Sequence, residues 1–239
     1  MRYKNAICLG ILAVTGVTHA AEETELGVWT GDAELGYVAT TGNTETTTAN
    51  ANLDFTQEQV KWRNNLRLEA LNTSEDEVTS AERYLAAWKT DYKVTDLNFL
   101  FATAQYEDDR FSGYDYQATA ALGYGRTVIS NPAHKLNLEI GPGFRHSELE
   151  TGGSEDEAIV KLAAKYRWVL SETAKFSQDL VADVGEESTV TKSISALSAK
   201  LNGRLAMKVS YTVKHESEVP AGSDKTNTET SVALVYSFL

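Results

Sequence analysis

From Ala158 to Trp168 the chain reads AIVKLAAKYRW, with an apolar side chain on every second residue. Ala158, Val160, Leu162, Ala164, Tyr166 and Trp168 share one parity; Lys161, Lys165 and Arg167 share the other. A helix scatters such a series around its circumference, whereas a strand sends it to two opposite faces. The pattern recurs. Leu205, Met207, Val209, Tyr211 and Val213 oppose Lys208, Ser210 and Thr212; Tyr84, Ala86, Trp88 and Tyr92 oppose Arg83, Lys89, Asp91 and Lys93. Leu136, Leu138, Ile140 and Phe144 likewise oppose Lys135, Asn137, Glu139 and Arg145.

About twelve such segments follow one another, near 29–40, 45–56, 62–72, 82–94, 98–107, 114–128, 135–147, 156–169, 174–185, 189–201, 205–216 and 225–238. Two of them, across Phe99–Tyr106 and Thr189–Leu201, can be phased either way. The segments run well beyond the roughly five or six residues of an ordinary soluble strand. They have the length that a tilted strand needs to cross hydrocarbon. An even count returns both chain ends to one side of a membrane. The expected fold is therefore all-β, a transmembrane antiparallel up-and-down β-barrel of about 12 strands.

The last stretch, SVALVYSFL, completes this reading. Val232, Leu234, Tyr236 and Phe238 would face lipid on a closing strand that pairs with the first near Ala33, Leu35, Tyr37 and Ala39. An open apolar edge is an aggregation hazard, and closure removes it. A mean hydropathy of −0.32 fits such a chain, because the alternate residues line a polar interior.

Connections at one end, QEQVK, VTDL, ISNPAH, LSET and LNGR, are short; those at the other, TSEDEVTSA, EDDRFSG, ELETGGSEDE, GEES and ESEVPAGSD, are generally longer and more acidic, although TTGN and GEES are short as well. Short turns belong on the periplasmic side and longer loops outside. With that orientation Trp29, Phe55, Trp62, Tyr92, Phe99, Tyr124, Trp168, Phe176, Tyr236 and Phe238 fall toward the periplasmic ends of their segments. Tyr37, Tyr84, Tyr106, Tyr116, Phe144 and Tyr211 fall toward the outer ends. Two belts of aromatics are what the two bilayer interfaces select.

Residues 1–20 have the layout of a cleaved secretory signal: Arg2 and Lys4, an apolar middle from Ala6 to Val17, and a small-residue site at Thr18-His19-Ala20. The apolar middle is too short to span a bilayer as a helix. Residues 21–239 are then the barrel, without the chain's single cysteine, Cys8. The whole chain carries 22 basic and 34 acidic residues, net −12. That balance argues against nucleic acid as a partner, since cationic patches drive phosphate binding.

The closing strand with its near-terminal aromatic resembles the C-terminal signature of bacterial outer-membrane proteins, which the barrel assembly machinery reads. More specifically, ELGYVATTGNTETTTANANLDF near the start, carried by Gly36, Thr41, Gly42, Asn43 and Thr44, is similar to the salt-induced outer-membrane protein family. LGYGR at Leu122–Arg126, GPGFR at Gly141–Arg145 and VYSF at the end extend the resemblance over nearly the whole chain after the signal. It implies a barrel in the outer membrane of a Gram-negative bacterium, and no catalytic residues.

Candidate chemistry is sparse. His146 and Ser147 are adjacent, so on a strand they point to opposite faces and cannot form a base–nucleophile pair. A lipid hydrolase on this pair is the least favoured alternative. His134, His146 and His215 lack paired zinc-type spacing. No catalytic, cofactor or specific metal residue is expected. Sixteen carboxylates of the outer loops, from Glu75, Asp76 and Glu77 through Glu107, Glu157, Glu216 and Glu218 to Asp224, offer oxygen ligands by which divalent cations could bridge loops or lipopolysaccharide phosphates. Expected lumen charges include Arg63, Arg67, Arg83, Lys89, Glu139, Lys161, Lys165, Arg167, Asp179 and Glu229; expected interface aromatics include Trp62, Tyr92, Tyr124, Trp168, Tyr236 and Phe238. The interior of a twelve-stranded barrel lies between the filled core of eight strands and the channel of sixteen. It is either a narrow pore or a salt-bridged plug, and lysines left unpaired on the eighth segment would favour anions. The expectation is a monomeric, non-enzymatic barrel, structural or stress-related or passing small solutes passively, with a solute-selective porin as the main alternative.

Overall fold

The computed structural model describes residues 27–40, 46–75, 78–110 and 112–238. The signal segment and the Thr41–Thr44 motif lie outside the described residues. Twelve strands are found among the described residues: β1 (Val28–Thr40), β2 (Thr46–Glu58), β3 (Trp62–Glu75), β4 (Val78–Lys93), β5 (Asn98–Asp109), β6 (Tyr114–Ser130), β7 (His134–Leu149), β8 (Ser154–Val169), β9 (Ala174–Gly185), β10 (Thr189–Lys200), β11 (Leu205–Glu216) and β12 (Thr226–Phe238). Each pairs antiparallel with its sequence neighbours, and β1 pairs with β12, from Gly31 opposite Phe238 to Gly36 opposite Ala233. The sheet is a closed barrel.

The alternation sets the two faces. Leu35, Leu122, Leu162 and Leu234 are exposed on the outer wall, while Ala121, Ile159, Ala163 and Ala233 are buried inside. At the end with the short turns Trp62 packs on Tyr92 with ring centroids 5.0 Å apart, and Phe55 meets Phe238 edge to face at 5.6 Å. Tyr124 donates to Asn98 Oδ1 at 2.6 Å, Tyr236 accepts from Arg204, and Trp168 stacks with His134. Tyr106 and Tyr116 stack at 5.2 Å toward the other end.

The short turns share a device. A polar side chain at the turn's start accepts from the backbone N–H three residues on: Thr95 from Asn98, Asn131 from His134, Ser171 from Ala174 and Asn202 from Leu205. These local bonds satisfy backbone groups that the ladder leaves free at its edge.

Two expectations are corrected. The expected loops TSEDEVTSA and ELETGGSEDE are mostly strand, since β3 runs to Glu75, β4 starts at Val78, and β7 and β8 reach Leu149 and Ser154. Fading hydrophobic alternation marks the end of hydrocarbon contact, but polar residues continue the hydrogen-bonded ladder into water. Phe99, expected among the interface aromatics, faces inward and is 5% exposed. Its ring occupies the space over Gly125, where a Cβ would overlap it. Arg63 and Lys89 lie over the same ring, each 5.5 Å from its centroid.

Leu162→Arg, on the outer wall at mid-strand, should lower stability by about 2–4 kcal/mol in urea unfolding from phospholipid vesicles. Gly125→Val should cost about 1–3 kcal/mol by overpacking against Phe99, with part of the loss recovered when Phe99→Ala is added.

Candidate functional site

Because one parity of every strand points inward, the lumen collects charges from all sides of the barrel. Several ion pairs join neighbouring strands: Arg63 to Asp91 on β3 and β4, Lys161 to Asp183 (2.8 Å) and Arg167 to Asp179 on β8 and β9, and Arg145 to Glu157 on β7 and β8. These pairs line the wall. Arg145 also donates to the carbonyl of Ser188 at 2.8 Å.

Others cross the lumen. Lys214 on β11 meets Glu107 on β5 at 2.6 Å, and β5 and β11 stand on opposite sides of the twelve-stranded ring. Glu216 shares the same ammonium at 3.0 Å. Arg83 on β4 reaches Glu229 on β12 at 2.9 Å, and Lys192 on β10 lies 3.8 Å from Glu69 on β3. Lys192 and Lys214 are register partners with like charge, so each is satisfied by a carboxylate from across the ring. The three braces lie in the outer part of the barrel. Side chains of Lys214, Glu107 and Glu216 are only 7%, 6% and 7% exposed. Taking one member away from such a buried group leaves charge without compensation.

Below the braces the interior changes character. Lys89 on β4 bonds Glu139 on β7 at 2.5 Å and lies 3.2 Å from Asp91. Lys208 on β11 chelates Glu34 on β1 at 2.7 and 3.0 Å. Arg67 is placed 3.6 Å from Asp54 and 3.5 Å from Glu69. Cavities of about 140 and 180 Å³ sit between the braces and these pairs, one of 270 Å³ lies lower, and one of 400 Å³ opens among Asp32, Lys200, Arg204 and Lys208. Each is at or below the lower range of ligand-sized pockets apart from the last.

The ten charged residues expected in the lumen, Arg63, Arg67, Arg83, Lys89, Glu139, Lys161, Lys165, Arg167, Asp179 and Glu229, all stand on inward positions of their strands, and nine of them take part in the ion pairs above. Lys165 is the exception. Three residues assigned from sequence to the acidic outer loops, Glu107, Glu157 and Glu216, instead point into the lumen and pair with Lys214 or Arg145. Asp76 and Glu77 lie outside the described residues. Sequence reasoning also missed a buried apolar patch inside, Phe99, Phe101 and Ala121. Its signal was the ambiguous phasing of β5, where both parities carry apolar residues.

His146 and Ser147 part as their register requires. His146 is on the outer face, 2.6 Å from Asp156 Oδ1, whereas Ser147 is buried inside and accepts a hydrogen bond from Gln117.

Lys214→Met should destabilise the barrel by about 3–5 kcal/mol in the same vesicle unfolding measurement, by stranding Glu107 and Glu216. Adding Glu107→Gln should return part of that loss, whereas a purely packing role for the lysine would leave the second change without effect.

The fold is shared with outer-membrane barrels of known structure. The NanC porin superposes with a TM-score of 0.54 at 9% identity, covering 87% of this chain and all of that one. The COG4313 outer membrane channel from Pseudomonas putida F1 gives 0.53 at 10% identity, covering 94% and 100%. In sequence the chain is 33% identical over 210 residues to the uncharacterized protein YdiY of Escherichia coli (strain K12), spanning 87% of this chain and 82% of that protein. Residues 33–238, from within β1 to the last residue of β12, match the family described as "Protein of unknown function, DUF481", and the chain belongs to that family.

Proposed function

We propose that this protein is a non-enzymatic barrel of the Gram-negative outer membrane through which small solutes pass passively, its lumen held narrow by the trans-lumen ion pairs. The observation that carries this reading is the Lys214–Glu107 brace between opposite walls of an otherwise polar, water-compatible interior. A barrel meant only as a membrane staple has no need of a continuous series of charged side chains and cavities from mouth to mouth. Two barrels of the same fold are described as a porin and a channel, and we extend passage to this chain on the chemistry of its own lumen.

On this reading the outer wall faces outer-membrane lipid and lipopolysaccharide, the C-terminal strand is presented to the barrel assembly machinery, and the barrel acts as a monomer. Carboxylates left on the outer rim, such as Glu150, Glu186 and Glu187, are available to divalent cations that bridge to lipopolysaccharide phosphates. A salt-responsive envelope role belongs to the same proposal, through the family resemblance alone. The braces also favour a second reading, a structural barrel whose interior is locked shut.

Conductance separates the two. Folded protein, checked by its heat-dependent gel shift, should give small discrete current steps in a planar bilayer. Lys214→Ala/Glu107→Ala, which removes the central brace and both charges together, should give larger steps. A silent bilayer for both proteins would leave the locked barrel as the better account.

A further inference from the structure

We propose that the periplasmic half of the lumen contains a binding site for a small oxyanion, such as phosphate or a short carboxylate, built on Lys165. The site is the 270 Å³ cavity between β2, β3, β4, β7 and β8. It is lined by six cations, Arg63, Arg67, Lys89, Lys135, Lys165 and Arg167, and by three carboxylates, Asp54, Asp91 and Glu139. A formal excess of three positive charges therefore surrounds it, inside a protein whose net charge is −12. Acidity on the outside and positive charge within are opposite in sign, so the cavity is not simply a sample of the chain's composition.

The carboxylates are already committed. Asp91 is held by Arg63 and Lys89, Glu139 by Lys89, and Asp54 accepts from Asn65 at 2.7 Å and faces Arg67. Arg167 is satisfied by Asp179. Lys165 makes no hydrogen bond or ion pair among the described residues, and Lys135 makes none either. Lys89 and Arg67 stand near Lys165, and the two carboxylates closest to it, Glu139 and its β9 register partner Asp179, are already engaged by Lys89 and Arg167. Register places the free donors together. Lys165 is the cross-strand partner of Asn137, and Lys135 is the partner of Arg167. The Asn137 side-chain carbonyl accepts from Thr127 at 2.9 Å, and its amide N–H₂ donates to no protein acceptor among the described residues.

Two lysines and an amide thus converge, on two adjacent strands, upon a space that also borders Arg63 and Arg67. A partly buried cation without a counter-ion is costly, and charge-assisted hydrogen bonds to an anion are the strongest compensation available. The cavity is smaller than the range usual for drug-sized ligands, which limits the occupant to a few heavy atoms. Its position inside the lumen excludes a lipid headgroup, whose acyl chains cannot enter, so the source is a free solute. This inference names the solute class for the passage proposed above and rests on that reading for its biological meaning, but binding can be measured without current.

The test uses refolded full-length barrel in an uncharged, phosphate-free detergent, with inorganic phosphate as probe and ³¹P line broadening as readout. Wild-type protein should broaden the phosphate resonance saturably, and acetate should reverse it. Lys165→Gln should weaken binding about tenfold, Lys165→Arg should retain it, and Lys225→Gln in the outer loop should leave it unchanged. Removing an unpaired charge does not remove an ion pair, so Lys165→Gln should fold. In a planar bilayer under a KCl gradient, wild-type current should favour anions and Lys165→Gln should lose that preference. Phosphate binding that depends on Lys165 in a barrel that passes no current would end the passage reading and keep the site. Current without phosphate binding, or binding equal in wild type and Lys165→Gln, would overturn the site and keep passage.

Discussion

Closure of the backbone ladder between β1 and β12 is the constraint on which the remaining structure depends. In hydrocarbon an unpaired N–H or C=O has no water to turn to and costs several kcal/mol, so a strand can cross only with both neighbours in place. The pairing from Gly31–Phe238 to Gly36–Ala233 provides the last pair of neighbours. It also locks the parity of all twelve strands, because a slip of one residue would exchange lipid-facing leucines for lumen-facing charges. Phe238 stabilises this seam locally, its ring lying against Gly31 and Phe55 on the outer wall.

Once parity is locked, the interior must accommodate every second residue of a twelve-stranded ring. The chain solves this differently at two heights. In the outer part, carboxylates and cations are matched across the lumen, Lys214 with Glu107, Arg83 with Glu229 and Lys192 with Glu69, while Glu216 adds to the first pair from Lys214's own strand. Near the end with the short turns, carboxylates are fewer and already engaged, while Lys165 and Lys135 are left over among the described residues. At that same end one sector is apolar, with Phe99, Phe101 and Ala121 packed beneath cationic side chains. The result is a lumen with a narrow, charge-neutralised outer section and a roomier, positively charged inner one.

The fold was legible because its signal is local. Alternation at Ala158–Trp168 or Leu205–Val213 needs no partner strand to be read, and the segments at 174–185 and 205–216 coincide with β9 and β11. Strand ends were less legible at the outer rim, where a ladder made of polar residues looks like a loop. The direction of Phe99 was hidden for another reason. An aromatic residue in a strand is equally at home in lipid or over a glycine, and Gly125, which makes room for it, lies 26 residues away on the next strand.

Charge location was legible and charge partnership was not. That Lys165, Lys161 and Arg167 share a face follows from their spacing in one strand. That Lys161 and Arg167 find carboxylates while Lys165 does not depends on the register of β8 against β9, and on which side chains β4 and β7 send toward it. The Lys214–Glu107 pair joins residues more than a hundred positions apart, brought face to face by the curvature of a closed sheet. Periodicity settles which way a side chain points, because that is a property of one strand's backbone; its counter-ion is settled by the diameter and shear of the ring, which belong to all twelve strands at once.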